Sequence, residues 1–197
     1  MRLVSGLAAF CLSMLAVPAF ADCAGDIRAA LDRVNAVGPY SITSVSKMGE
    51  SVQTMSGEFD PPRAMHSRSD TDGEVIEMTL LDGKAWMSLD GTWTALTPEM
   101  AEGLSQMMVP SDLKDVDMLD PQCKGEVVVD SHTYLDYSFR TSVQGMSAQT
   151  RILVEPGSGL PEILTTNQVV GQTATETVIK YQYGISIQIE APQPASF

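Results

Sequence analysis

The sequence predicts a mainly β protein of the α+β class, built as one strongly curved antiparallel sheet with a helix before it and a helical insert part-way along it. Three observations carry that expectation. Apolar residues recur at helical spacing in residues 24–37 and again in residues 98–108, and alternation of period two fills most of the remaining chain. No helical stretch separates consecutive strand-like runs, so βαβ units are absent and the strands are expected to pair antiparallel.

The chain opens on Arg2, an apolar run from Leu3 to Val17, then Pro18 and the small-residue box Ala19-Phe20-Ala21. This is the layout of a secretory signal, too short and too interrupted by Ser5, Gly6, Ser13 and Pro18 for a spanning helix. Cleavage is expected before Asp22. That divides the chain into a signal at 1–21, a single domain at 22–191 and a flexible tail at 192–197, and it places the protein in the periplasm.

From Ala24 to Val37, Ile27, Ala30, Leu31 and Val34 share one helical face, with Asp22 as cap and Gly38-Pro39 as stop. Six strand-like runs follow between Tyr40 and Leu96: YSITSVS, SVQTMSGEF, RAMHSRS, VIEMTLL, AWMSL and TWTAL. Asp82-Gly83 and Asp90-Gly91 separate consecutive runs and suit the positive φ angles of two-residue hairpins. Thr97-Pro98 restarts a helix as cap and first turn, with Met100, Leu104, Met107 and Met108 on one apolar face. Ser111 to Asp120 reads as a polar connector. Strand patterns return as GEVVVDS, TYLDYSFRTSV, AQTRILVEP, LPEILTTN, ETVIKYQY and ISIQIEA.

With 44% hydrophobic and 19% charged residues the chain can build a core. Residues 1–21 contain one base and no acid, so removing them takes the formal charge from −13 to −14. So acidic a surface repels phosphate backbones and excludes nucleic acid as a partner. Cys11 leaves with the signal. The remaining Cys23 and Cys123 form an even pair in an oxidising compartment and are expected to be joined, the alternative being two structural thiols.

Several local pieces then resemble a known group. Gly57-Glu58-Phe59 followed by Pro61-Pro62-Arg63 is similar to an early strand and Pro-Arg pair of the periplasmic lipid-carrier superfamily of LolA, LolB and LppX-like proteins. Asp82-Gly83-Lys84-Ala85-Trp86 resembles that superfamily's aromatic hairpin, and Lys180 to Ala191 looks like its closing strand pair. The resemblance spans nearly all of Asp22 to Ala191. It implies a half-barrel whose open side is covered by helices, with the insert as a lid and a cavity for a hydrophobic ligand such as lipid or lipoprotein acyl chains. It equally allows the fold to be reused for sensing, as in the lipid-carrier-like domain of RseB, with a membrane-associated protein as partner.

Within that reading Met55, Met65, Met78, Met100, Met107 and Met108, with Trp86 and Leu104, are the candidate cavity and lid residues; the thioethers of the methionines adapt to flexible chains, and ordinary core filling is their competing role. Trp86 and Trp93 flank one turn and suit cross-strand packing as well as a cavity mouth. His66 and His132 are isolated, and the acidic pieces at Asp70–Gly73 and Asp115–Asp117 lack a calcium-loop pattern, so no metal and no cofactor are expected. Ser44-Val45-Ser46-Lys47 matches S-x-x-K, but the serine falls in a strand and no KTG accompanies it. No nucleophile elbow or phosphate loop is present, and the protein is expected not to be an enzyme.

Overall fold

The computed structural model describes residues 22–108, 117–143, 146–171 and 173–193. The first helix, α1, spans Cys23–Ala36, and its cap is the expected one: the Asp22 carboxylate accepts the Gly25 amide at 2.9 Å. Six strands follow: β1 (Tyr40–Met48), β2 (Ser51–Asp60), β3 (Ala64–Thr71), β4 (Glu74–Leu81), β5 (Lys84–Leu89) and β6 (Thr92–Ala95). After α2 (Pro98–Met108) come β7 (Leu119–Val129), β8 (His132–Val143), β9 (Met146–Val154), β10 (Pro161–Val170) and β11 (Thr173–Tyr183). All eleven form one curved, unclosed antiparallel sheet in the order β6-β5-β4-β3-β2-β1-β11-β10-β9-β8-β7. The architecture is the expected half-barrel with an N-terminal helix and a helical insert.

Its hairpins are written in the sequence. Asp82-Gly83 and Asp90-Gly91 both take two consecutive positive φ angles, at 49° and 76° and at 49° and 84°. That geometry matches the right-handed twist of the strands it joins. Asp72-Gly73, at the end of the acidic piece that lacks a calcium-loop pattern, is a third such turn, and Asp130-Ser131 a fourth. The non-glycine Ser131 at φ 69° hid the last one from the sequence.

Two expectations fail at strand ends. Strand β7 begins at Leu119, six residues before the expected Gly125, and absorbs Pro121 and Cys123; it does so by breaking register with β8 between Leu119 and Gln122 and again between Cys123 and Gly125. An edge strand tolerates such irregularities because its outer side pairs with nothing. At the other end, Ile185–Ala191 is not a strand. Gly184, at φ 69°, ends β11, and the following residues alternate half-buried Ile185 and Ile187 and buried Ile189 with exposed polar side chains without joining the sheet. The expected closing strand pair is therefore one strand and an unpaired extended tail. The expected signal, residues 111–116 of the expected connector Ser111–Asp120 and residues 194–197 of the expected tail lie outside the described residues, while Leu119 and Asp120 of that connector belong to β7.

Both helices pack on the same face. Ile27, Ala30 and Leu31 of α1 bury themselves against Phe139, Ile152 and Val154 of β8 and β9. Ala101 of α2 joins Met65, Leu80 and Ala85 of β3, β4 and β5, with Leu104 and Phe59 packed alongside. These are two separate cores. Cys23 and Cys123 are joined and clamp the start of α1 to the edge strand β7, closing a sequence separation of 100 residues. On the chain-entropy view a loop of that size stabilises the fold by about 5 kcal/mol. Replacing Cys123 by serine should lower the melting temperature by roughly 10 °C in a chain of this size, measured against the oxidised protein, and reductant should reproduce the loss.

Candidate functional site

Register fixes which side chains share the helix-bearing face, since alternate residues of a strand point to one side. On the wing under α2 these are Met65, Ser67 and Ser69 of β3, Leu80, Met78 and Ile76 of β4, and Ala85, Met87 and Leu89 of β5. On the wing under α1 they are Leu135, Tyr137 and Phe139 of β8 and Val154, Ile152 and Thr150 of β9. The middle strands β2, β1 and β11 lie between the two helices.

Those middle strands build a floor of their own. Tyr40 stacks on Phe59 at 5.0 Å and lies 6.2 and 6.1 Å from Tyr181 and Tyr183, which stack on each other. Tyr40 pairs with Phe59 on one side and Tyr183 on the other, so the cluster joins three adjacent strands. The Tyr183 hydroxyl donates to the Pro161 carbonyl at 2.6 Å. Next to the aromatics come Ile42, Gly57 and Met55, then Ile179. Gly57 is bare for a reason: a Cβ there would sit 2.7 Å from the Phe59 ring and 3.3 Å from Ile42. The ring folds back across the glycine.

The expected site residues distribute unevenly. Met65 is buried, and Met55 and Met78 are half-buried on the same helix-bearing face. Leu104 packs onto the α2 core, but Met100 is 52% exposed, so the buried face of α2 runs through Ala101 and Leu104 and leaves Met100 outside it. The side chains of Met107 and Met108 lie outside the described residues. Trp86 is on the opposite face. It pairs with Thr79 and Ala95, one residue out of phase with Met78 and Met87, and lines a cavity of about 220 Å³ together with Leu96, Pro98 and Ala101. Trp93 is also on that opposite face, its ring 6.4 Å from His66, whose Nδ1 is 3.1 Å from the Thr79 hydroxyl. Tyr40, Phe59, Ile42, Tyr181 and Tyr183 were not singled out from sequence. The signal was there in the Tyr181/Tyr183 alternation, but nothing local announces that β1 pairs with β11.

The opposite face is polar in the other wing. An open depression of about 950 Å³ runs beside Lys47, Glu176, Asn167 and Gln149, successive partners across four strands. Beside it Arg151 makes a two-pronged ion pair with the buried Asp136, at 3.0 and 2.9 Å, and Arg140 pairs with Asp120. Val169 and Ala174 also line it, but the Lys47, Glu176, Asn167 and Gln149 row across it keeps water and leaves no continuous apolar strip for an acyl chain.

Among solved structures, the lipoprotein LppX from Mycobacterium tuberculosis superposes with a TM-score of 0.56 at 12% identity, covering 85% of this chain and 98% of that one. The chain has the LppX fold. A complex of MucB with MucA(peri) matches at 20% identity and TM-score 0.43, covering 87% of this chain and 59% of that one. A putative outer membrane lipoprotein-sorting domain from Vibrio parahaemolyticus matches at 8% identity and TM-score 0.32, covering 83% and 92%. No family model and no curated protein matches the sequence itself. In the terms of the LppX fold, the helices occupy the two wings and the tyrosine floor lies between them.

Two outcomes test this geometry. Gly57→Ala should overpack the Phe59 ring and cost about 1–3 kcal/mol, read by denaturant unfolding, and Phe59→Leu in the same background should recover part of it. Burial pushes the Tyr40 phenol from 10.0 up to about 12 and raises Tyr183 and Tyr181 as well. The folded state then holds these protons more tightly than the unfolded chain, so the stabilisation is complete below about pH 10 and is lost as pH rises towards 12. Unfolding curves should be flat up to pH 10 and fall beyond it, and Tyr40→Phe should make that fall shallower.

Proposed function

We propose that this protein is a periplasmic binding protein that shelters the acyl chains of a lipid or lipoprotein on its helix-bearing face, without covalent chemistry. The observation that carries the proposal is the strip of Ile42, Met55, Ile179 and Tyr181 on the middle strands, flanked by two helices that are anchored independently. Half-buried aliphatic, thioether and aromatic side chains on a sheet that curves toward them give hydrocarbon a non-directional surface. The LppX fold supports the same reading.

In this mechanism α2 is the lid. Its contacts through Ala101 and Leu104 are apolar and so can slip, whereas α1 is held by the disulfide and by Arg33, which donates to the Gly159 carbonyl at 3.3 Å. No helix among the described residues is long and apolar enough to cross a membrane.

Native mass spectrometry of protein recovered from the periplasm should show a chain beginning at Asp22 with co-purified lipid. A lipid-free protein held by a stable protein partner would favour the sensor role instead. Leu104→Asp puts a charge where the lid meets the sheet; it should weaken binding of a fluorescent fatty-acyl ester at least about tenfold while lowering stability by only about 1–3 kcal/mol, because Leu104 is only half-buried. Unchanged binding would remove α2 from the site, and outright unfolding would make the insert plain core.

A further inference from the structure

The helix-bearing face is graded along the strands. Strand β1 runs Tyr40, Ile42, Ser44, Ser46, from apolar to polar, before it ends on the exposed Met48; its antiparallel neighbours run the other way in sequence, β2 from Gln53 to Phe59 and β11 from Thr177 to Tyr183. The aromatic ends therefore coincide in space, and so do the hydroxyl ends. One row across four strands reads Ser46, Thr177, Thr166, Thr150, with hydroxyl pairs at 2.5 Å between Ser46 and Thr177 and 3.4 Å between Thr150 and Thr166. Gln53 extends the row on β2, and Gln168 lies just beyond it on β10.

Charge divides by face with equal clarity. Lys47, Arg68, Lys84, Arg140, Arg151 and Lys180 all alternate onto the face opposite the helices, and Lys124 lines the same depression there as Arg140 and Arg151. These are the lysines and arginines of the described strands. Not one of them faces the side that carries the tyrosine floor. At the hydroxyl end of that side the nearby charge is negative, with Ser51 donating to the Asp72 carboxylate at 2.8 Å.

Resting on the lipid-binding reading above, we propose that the ligand is amphipathic with an uncharged, hydroxyl-rich head, such as a glycosyl or glycerol group, seated against Ser46, Thr177, Gln53 and Thr166 while its tail lies along Ile42, Met55, Ile179 and Tyr181. Hydroxyls and amides both donate and accept, which matches a polyol group for group. A phosphate or carboxylate head needs cations or converging N–H donors. Here it would meet a carboxylate and a chain of formal charge −14 once residues 1–21 are removed.

The test is competition for a bound fluorescent fatty-acyl ester, using delipidated full-length mature protein and three unlabelled ligands: glucosyl dioleoylglycerol, dioleoyl phosphatidate and methyl oleate. The glucosyl lipid should compete about tenfold better than phosphatidate, the effect of one or two hydrogen bonds. Ser46→Ala with Thr177→Val should remove that advantage and leave methyl oleate unchanged. Gln53→Lys, at an exposed position, should admit phosphatidate about tenfold better. Phosphatidate competing as well as the glucosyl lipid would overturn the head-group assignment and leave lipid binding standing. A glucosyl preference that survives Ser46→Ala with Thr177→Val would place the head elsewhere and overturn it too. If neither the probe nor any of the three binds, the lipid reading itself fails and this inference falls with it.

Discussion

The order of strands imposes a constraint that the rest of the structure answers. Strands β6 and β7 are consecutive in sequence, yet they form the two opposite edges of the sheet. The chain between Ala95 and Leu119 must therefore travel from one edge to the other. Ten strand spacings at about 4.8 Å make about 48 Å of flat sheet, while the eleven residues of α2 span only about 16 Å. Even full extension of the rest would leave little slack, so curvature that brings the edges toward each other is what lets the insert also form a helix and pack. Curvature, insert and the choice of face are one problem with one solution.

Width then decides where the site can be. A helix with its side chains is about 10–12 Å across, enough for two or three strands when it runs along them and about four when it crosses them. Two helices cannot cover eleven. Here α1 takes β7 and β10 and the strands between, and α2 takes β4 and β5 with the adjoining Met65 of β3. The centre is left to its own side chains, and three tyrosines and a phenylalanine fill the end nearest the connection from α1 to β1. Ser44, in the middle strand between the helices, is still only 8% exposed. Its neighbours on the curved sheet shield it, which is how a surface with no helix anchored on it becomes a groove.

Local chemistry was legible in the sequence and long-range pairing was not. Asp22 as cap, the Asp-Gly hairpins, the alternation of most strands and the even cysteine pair all follow from a few adjacent residues, and the structure has them where they were expected. The failures share a cause. Trp86 looks like a cavity residue from its motif, but its face depends on its phase relative to Met78, which only the register supplies. Met100 shares an apolar stripe with Leu104 on paper, yet the helix turns Ala101 inward in its place. Ile185 to Ile189 alternate as a strand would, but the preceding Gly184 takes them off the sheet. The tyrosine floor needs β1 beside β11, a contact between the two ends of the domain that no window of sequence contains.

The partition of charge follows from the same geometry. A sheet buried on both faces would exclude lysine and arginine everywhere, and one exposed on both would scatter them. Here the strand cations occupy a single face, where Arg151 can hold the buried Asp136 and Arg140 can reach Asp120. Sending them there leaves the helix-bearing face of the described strands without a lysine or arginine even at its hydrophilic end, where long charged side chains would have been tolerated by solvent; the cations on that side belong to α1, as Arg28 and Arg33. Burial explains their absence beneath the helices. It does not explain their absence beside Gln53, which is exposed. At that end the face is polar without being charged, a composition that favours hydrogen-bonding over ion-pairing contacts and keeps the groove continuous from aromatic floor to hydroxyl row.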